Sequence, residues 1–178
     1  MPEVASNVAV LMFGGIETTE AMITNALLHL FRHPAQLTLV RDDVDLLDGA
    51  IESHRASNPA PPSWTATPPG TTVLGPAAIR RGDLVTVSLT GANRHLAVFP
   101  DPDRFDVRRE NARLQLAFAH GPHHCLAERL ARLEPASPST ASSNACPDCA
   151  WTRTTPPLCG GLVFRKPSAL HVLWDAPA

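Results

Sequence analysis

Cys125 closes the stretch Phe118-Ala-His-Gly121-Pro-His123-His124-Cys125-Leu-Ala127, a short loop that runs directly into a helical pattern at Leu126–Glu134. A sulfur at a helix N-terminus meets partial positive charge, which suits a thiolate, the form that binds metals. A flat aromatic at the loop start and a glycine midway would let a planar group approach the backbone. Taken alone, a single cysteine is as easily a small buried apolar residue.

Three other clusters carry candidate chemistry. Gly14-Gly15-Ile16-Glu17-Thr18-Thr19 sits inside a long apolar-periodic run. Paired glycines weaken a helix and threonine hydroxyls bond back to the preceding turn, so a local kink or bulge is expected there. In Glu52-Ser-His-Arg55 the acid and the base lie on one helix face, three residues apart. Pro102-Asp103-Arg104-Phe105 offers a further guanidinium in a rigid segment. As isolated pieces, each would be a packed helix crossing or a surface ion pair of little worth.

The elements that must position these groups follow from periodicity. Residues Val8 to Phe31 read as one long helix ended by His33-Pro34, and Val44 to Arg55 as a second, amphipathic helix. Val85, Val87 and Leu89 alternate as a strand after the Gly82-Asp83 turn. Phe99 to Phe105 is irregular, the helix after Cys125 stops at Pro135, and Gly161 to Trp174 gives strand-like runs around a Lys166-Pro167 turn.

Composition bounds the function. With 178 residues, 44% apolar and 18% charged, one soluble globular domain is expected. A net charge of -2 leaves no electrostatic footprint for nucleic acid. The apolar run Val8–Phe13 is too short to span a bilayer and no signal peptide precedes it, so the reading is cytoplasmic with no membrane partner.

The order and spacing of the four clusters resemble the cytochrome P-450 family, the haem-thiolate monooxygenases. Phe118, Gly121 and Cys125 match its haem loop F-x-x-G-x-x-x-C, with the small Ala127 two residues after the ligand. The resemblance implies a mainly α fold with small β elements, the C-terminal portion of that fold from its I helix onward, with 1–178 forming a partial domain without the family's N-terminal helices. It implies Cys125 as ligand to the iron of haem b (iron protoporphyrin IX), and Phe118, Gly121, His123 and Ala127 as cofactor-binding residues, His123 near a propionate. His120 and His124 are bystanders on this reading. Thr18 would hydrogen-bond dioxygen and Glu17 would feed protons toward it. Glu52, Arg55 and Arg104 would form a buried triad. Electrons would come from NAD(P)H through a ferredoxin-type donor and its reductase, for hydroxylation of a small organic substrate.

Residues 56–72 and 135–160 depart from the family pattern and are expected to be coil. They hold most of the prolines and three of the four cysteines, Cys146, Cys149 and Cys159. Read one base earlier, both tracts can return to the family pattern: the first to V-V-D-R-Y-A-T-R-D, whose first Arg would pair with a haem propionate, the second to an amphipathic helix. Two shifted reading frames are therefore the expectation. A zinc or redox module built on those cysteines is the weakest reading, and a degraded, non-catalytic remnant with weak or no haem binding is the main alternative to a monooxygenase fragment.

Overall fold

The structure, a computed structural model, describes residues 2–57, 63–136, 150–151, 159–160 and 164–173. Helix α1 runs unbroken from Pro2 to Arg32. Its halves differ sharply in environment. Ala21, Met22, Asn25, Ala26, Leu28 and Leu30 are buried, whereas Val4, Val8, Leu11, Met12 and Ile16 are exposed. The Gly14–Thr19 tract stays regular α-helix where a kink or bulge is expected, and of that expectation only the back-bond is present: the Thr18 hydroxyl donates to the Gly14 carbonyl.

His33 breaks the helix at φ -125° and ψ 74°, outside the α region that the residue before a proline avoids. Pro34 does not begin a coil. It occupies the first turn of α2, Pro34–Asp42, where a missing N–H costs nothing. Helix α3 spans Leu46–Ser57 and is buried from Ala50 to His54. Leu30, Val40, Ala50, Phe105 and Val107 form the core where α1, α2 and α3 meet the irregular segment after Phe99. Gly49 permits this meeting, because a Cβ there would fall 1.9 Å from the Val107 carbonyl oxygen.

Four two-stranded antiparallel sheets complete the described residues. Strand β1, Ser63–Ala66, pairs with β4, Val85–Ser88, and β2, Thr72–Leu74, pairs with β3, Ala77–Ile79. Composition alone reads 56–72 as coil; Ser63–Ala66 is instead a strand, held by its partner's β-branched residues and by a 3.1 Å Thr65–Thr86 hydroxyl contact. Helix α4 is a single turn, Leu89–Ala92, capped by Ser88. Helix α5, Glu128–Ala136, carries Pro135 in its last turn, so the chain runs one residue past the expected stop.

In the other unusual tract, β5, Ala150–Trp151, and β6, Cys159–Gly160, are two-residue strands. They pair with β8, Val172–Leu173, and β7, Lys166–Pro167. Lys166-Pro167 is thus a strand where a turn is expected. Cys146 and Cys149 lie outside the described residues. No helix among the described residues is long and apolar enough to cross a membrane.

Candidate haem-thiolate site

Phe118 to Cys125 folds back on itself: the Cys125 N–H donates to the Phe118 carbonyl at 2.9 Å, closing the loop. Two left-handed residues make this possible, Gly121 at φ 76° and Ala119 at φ 61°. Glycine adopts that region freely, while alanine is strained there. Gly121–His123 forms a 3-10 turn and Cys125 then precedes the first turn of α5, with the Glu128 N–H bonded to the Cys125 carbonyl at 3.3 Å.

The loop faces the middle of α1 across a cavity of about 700 Å³. Cys125, Phe118, His123 and Ala127 line one side; Phe13, Gly14, Gly15, Thr18 and Thr19 of α1 line the other. Trp64 of β1, His54 of α3, Leu130 and Glu134 of α5 and Phe164 also line it. Gly121 makes the turn but does not line the cavity, and neither does Glu17. Gly14 and Gly15 leave open space where a side chain would stand. A mostly apolar, ring-lined slot with one half-buried thiol suits a flat macrocycle whose metal takes one sulfur ligand, so the residues present fit a haem.

Glu17 is engaged elsewhere. Lys166 of β7 bonds the carboxylates of both Glu17, at 2.8 Å, and Glu20, at 2.6 Å, and these two bonds raise the ammonium's pKa above the usual lysine range. The residue before that strand is tied to α1 by the Asn25 amide, which donates to the Arg165 carbonyl at 2.7 Å.

The triad is arranged differently from the sequence expectation. Glu52 is buried, and its carboxylate takes the Arg132 Nε at 2.5 Å and the Gln115 amide at 3.2 Å. Arg104 is largely exposed and pairs with Asp106 at 3.2 Å. It lies in the segment that Arg109, not Arg104, organises. The Arg109 guanidinium donates to the carbonyls of Pro100, Asp101 and Arg104 at 2.7–2.8 Å, and its planar fork suits several fixed acceptors. The Arg55 side chain lies outside the described residues.

Sequence reading also missed Arg132. It joins α5 to Glu52, bonds Glu128, and stands 4.7 Å above the Phe118 ring, so it braces the ring that walls the cavity. Desolvation lowers its pKa, and the bonds to Glu52 and Glu128 outweigh this to leave it raised. The spacing Glu128…Arg132 was a legible i, i+4 pair; the partnership with Glu52 was not. His124 is no bystander to the loop, since its ring bonds Glu128 at 2.6 Å and that bond raises its pKa.

Three further imidazoles gather behind the cavity. His54 lines it, and its ring lies 5.2 Å from that of His29, which packs at 5.3 Å against Phe105 and stacks at 6.2 Å on His33. Burial pushes the His29 pKa down to about 4, with the His33, Arg32 and Arg94 charges adding to it.

The sequence model described as Cytochrome P450 matches residues 46–136, just over half the chain. The cytochrome P450 monooxygenase PikC of Streptomyces venezuelae is 42% identical over 142 residues, 79% of this chain and 34% of that protein. A cytochrome P450 of Bacillus subtilis is 37% identical over 150 residues, 82% of this chain and 36% of the other. Among solved structures, cytochrome P450 CREJ in complex with (4-ethylphenyl) dihydrogen phosphate superposes with a TM-score of 0.91 at 30% identity. That match covers 97% of this chain and 43% of CREJ. The chain spans about a third of the length of the curated relatives it matches.

Proposed function

Since the chain belongs to the cytochrome P450 family, we propose that it is the cofactor-holding part of a haem-thiolate monooxygenase. The carrying observation is that Cys125 and Thr18 line the same cavity from the helix-start loop and from α1. When bound, haem b supplies the activation of dioxygen that hydroxylates a C–H bond of a small organic substrate, with electrons from NAD(P)H through a ferredoxin-type protein and its reductase. The cytoplasm is the proposed location. Another carrier is worth trying as partner, because a relative of similar fold, P450BioI, is known in complex with an acyl carrier protein ligated to hexadec-9Z-enoic acid.

Cys125 would hold the iron from the loop, which the Cys125–Phe118 bond keeps closed. Phe118 is nearly buried, and Arg132 above its ring keeps it upright as a wall of the slot. Gly121 gives the loop its reversal, and His123 lines the cavity, where its imidazole would meet the cofactor. Thr18 donates its own proton to the Gly14 carbonyl, so toward the cavity it presents lone pairs and must give up that bond to donate inward. Glu17 has to leave Lys166 before it can carry a proton to Thr18's side of α1.

A second reading, a non-catalytic remnant with weak haem binding, is favoured by the diversion of Glu17 to Lys166 and by the exposed apolar first half of α1. Haem reconstitution tests both. The monooxygenase reading expects a reduced carbon monoxide complex with the red-shifted absorption of thiolate ligation, lost in Cys125→Ala, and product from a substrate panel with added redox partners. Thiolate-type absorption without turnover supports the remnant. An unchanged spectrum in Cys125→Ala removes Cys125 as ligand.

A further inference from the structure

The Glu128 carboxylate takes a bond at each oxygen. Its Oε2 accepts from His124 Nε2 at 2.6 Å, and its Oε1 accepts from the Arg132 guanidinium. These bonds, that of His124 foremost, hold the carboxyl below the usual carboxylate range, and a negative charge in the first turn of α5 also suits the helix N-terminus. An isolated, partly exposed pair at i, i+4 would be worth little. This pair is part of a longer path: the Arg132 guanidinium goes on to the buried Glu52 at 2.5 Å and lies 4.7 Å from the centre of the Phe118 ring.

At the other end of the path, the His124 ring spans the loop. Its Nδ1 stands 3.3 Å from the carbonyl of Ala119, the left-handed residue that follows Phe118. His124 itself immediately precedes Cys125. Cys125 and Phe118 line the cavity, whereas His124, Glu128 and Arg132 do not. One carboxylate outside the lining therefore joins the residue beside the sulfur to the cation over the ring. The Glu128 bond needs a hydrogen only on Nε2, which one neutral tautomer carries as well as the charged ring, so the link does not depend on the charge of His124.

We propose that Glu128 is a positioning residue: through His124 and Arg132 it fixes the Cys125 sulfur relative to the Phe118 ring, so that the loop presents its metal-binding sulfur at a set place against the cavity wall. The role rests on the haem reading, in which Cys125 is the iron ligand and Phe118 a wall.

The test is hydrogen exchange at the Cys125 amide, whose bond to the Phe118 carbonyl closes the loop, so that its exchange reports local opening with no cofactor present. Glu128→Gln and His124→Leu should each speed it about fivefold, the upper worth of a partly exposed ion pair. Exchange at Ala50 and Ile51, buried in α3, should stay as in the wild type. The double variant should be no faster than Glu128→Gln alone, because both changes remove the same bond. His124→Gln, whose amide can donate to Glu128, should keep the wild-type rate; set against His124→Leu, it decides the matter if Glu128→Gln fails to fold. With haem b bound, reduced and under carbon monoxide, Glu128→Gln and His124→Leu should show a smaller share of thiolate-type absorption than the wild type and His124→Gln.

Unchanged exchange at Cys125 in both variants overturns the inference. So does an equal rise at Ala50 and Ile51, which would mark a general loosening, and so does full thiolate-type absorption in both variants; all three leave the haem reading intact. A wild type without thiolate-type absorption, or a Cys125→Ala variant that keeps it, overturns the haem reading and the positioning role together.

Discussion

Arg132 lies against Glu52, Nε to Oε1 2.5 Å, across the junction between α5 and α3. Glu52 is nearly enclosed, so its charge depends on that guanidinium and on the Gln115 amide. The same guanidinium covers Phe118, which couples the buried acid of α3 to the wall of the cavity.

Arg132→Met should therefore cost about 3 kcal/mol, the lower end for breaking a buried pair because the arginine keeps partial contact with water. Urea denaturation of the variant checks this. Glu52→Gln in the Arg132→Met background should restore part of the loss, since it removes the orphaned charge; no restoration would mean that Arg132 acts through Phe118 packing alone.

Gly49→Ala should be the most damaging alanine substitution among the described glycines. The added carbon collides with the Val107 backbone, and neither α3 nor the Phe105–Val107 segment can yield without opening the core. A loss of about 3 kcal/mol is expected, at the upper end for overpacking. Thermal unfolding of the purified variant measures it.

Ala119→Gly should stabilise the loop by about 0.5 kcal/mol: relief of the left-handed strain is partly offset by the freer unfolded chain. Gly121→Ala should act in the opposite direction by about 1 kcal/mol. The pair of melting temperatures tests the loop geometry without any cofactor.

Acid should weaken the fold through His29. Its pKa in the fold is about 4 against 6.5 for the free side chain, so below pH 6.5 the unfolded chain takes up a proton that the folded one resists. The contribution is complete above pH 6.5 and declines as pH falls toward 4, by up to about 3 kcal/mol. Stability curves at pH 7 and pH 4.5 should differ accordingly, and His29→Leu should flatten that difference.

The parts read correctly from sequence are those fixed by local rules. The helix around Gly14–Thr19, the α3 helix with Glu52, the Val85–Ser88 strand and the Cys125 loop all follow from periodicity, turn residues and spacing. Pro34 misled because a proline that ends one helix can equally begin the next, and only the apolar Leu37, Leu39 and Val40 hinted at α2. The tract around Trp64 misled because its strand is imposed by β4, not by its own composition. The Arg104 expectation rests on a motif resemblance, while the roles of Arg109 and Arg132 come from tertiary partners, three convergent carbonyls and a carboxylate 80 residues away, that leave no mark on spacing.

The Asn25 amide meets the Arg165 carbonyl across 140 positions of chain. A ribosome adding roughly 5–20 residues each second needs on the order of ten seconds to travel that distance. For all of that interval the centre of the first helix is finished in sequence yet lacks its clasp. Until Arg165 emerges, the face of α1 around Asn25 has no partner to cover it.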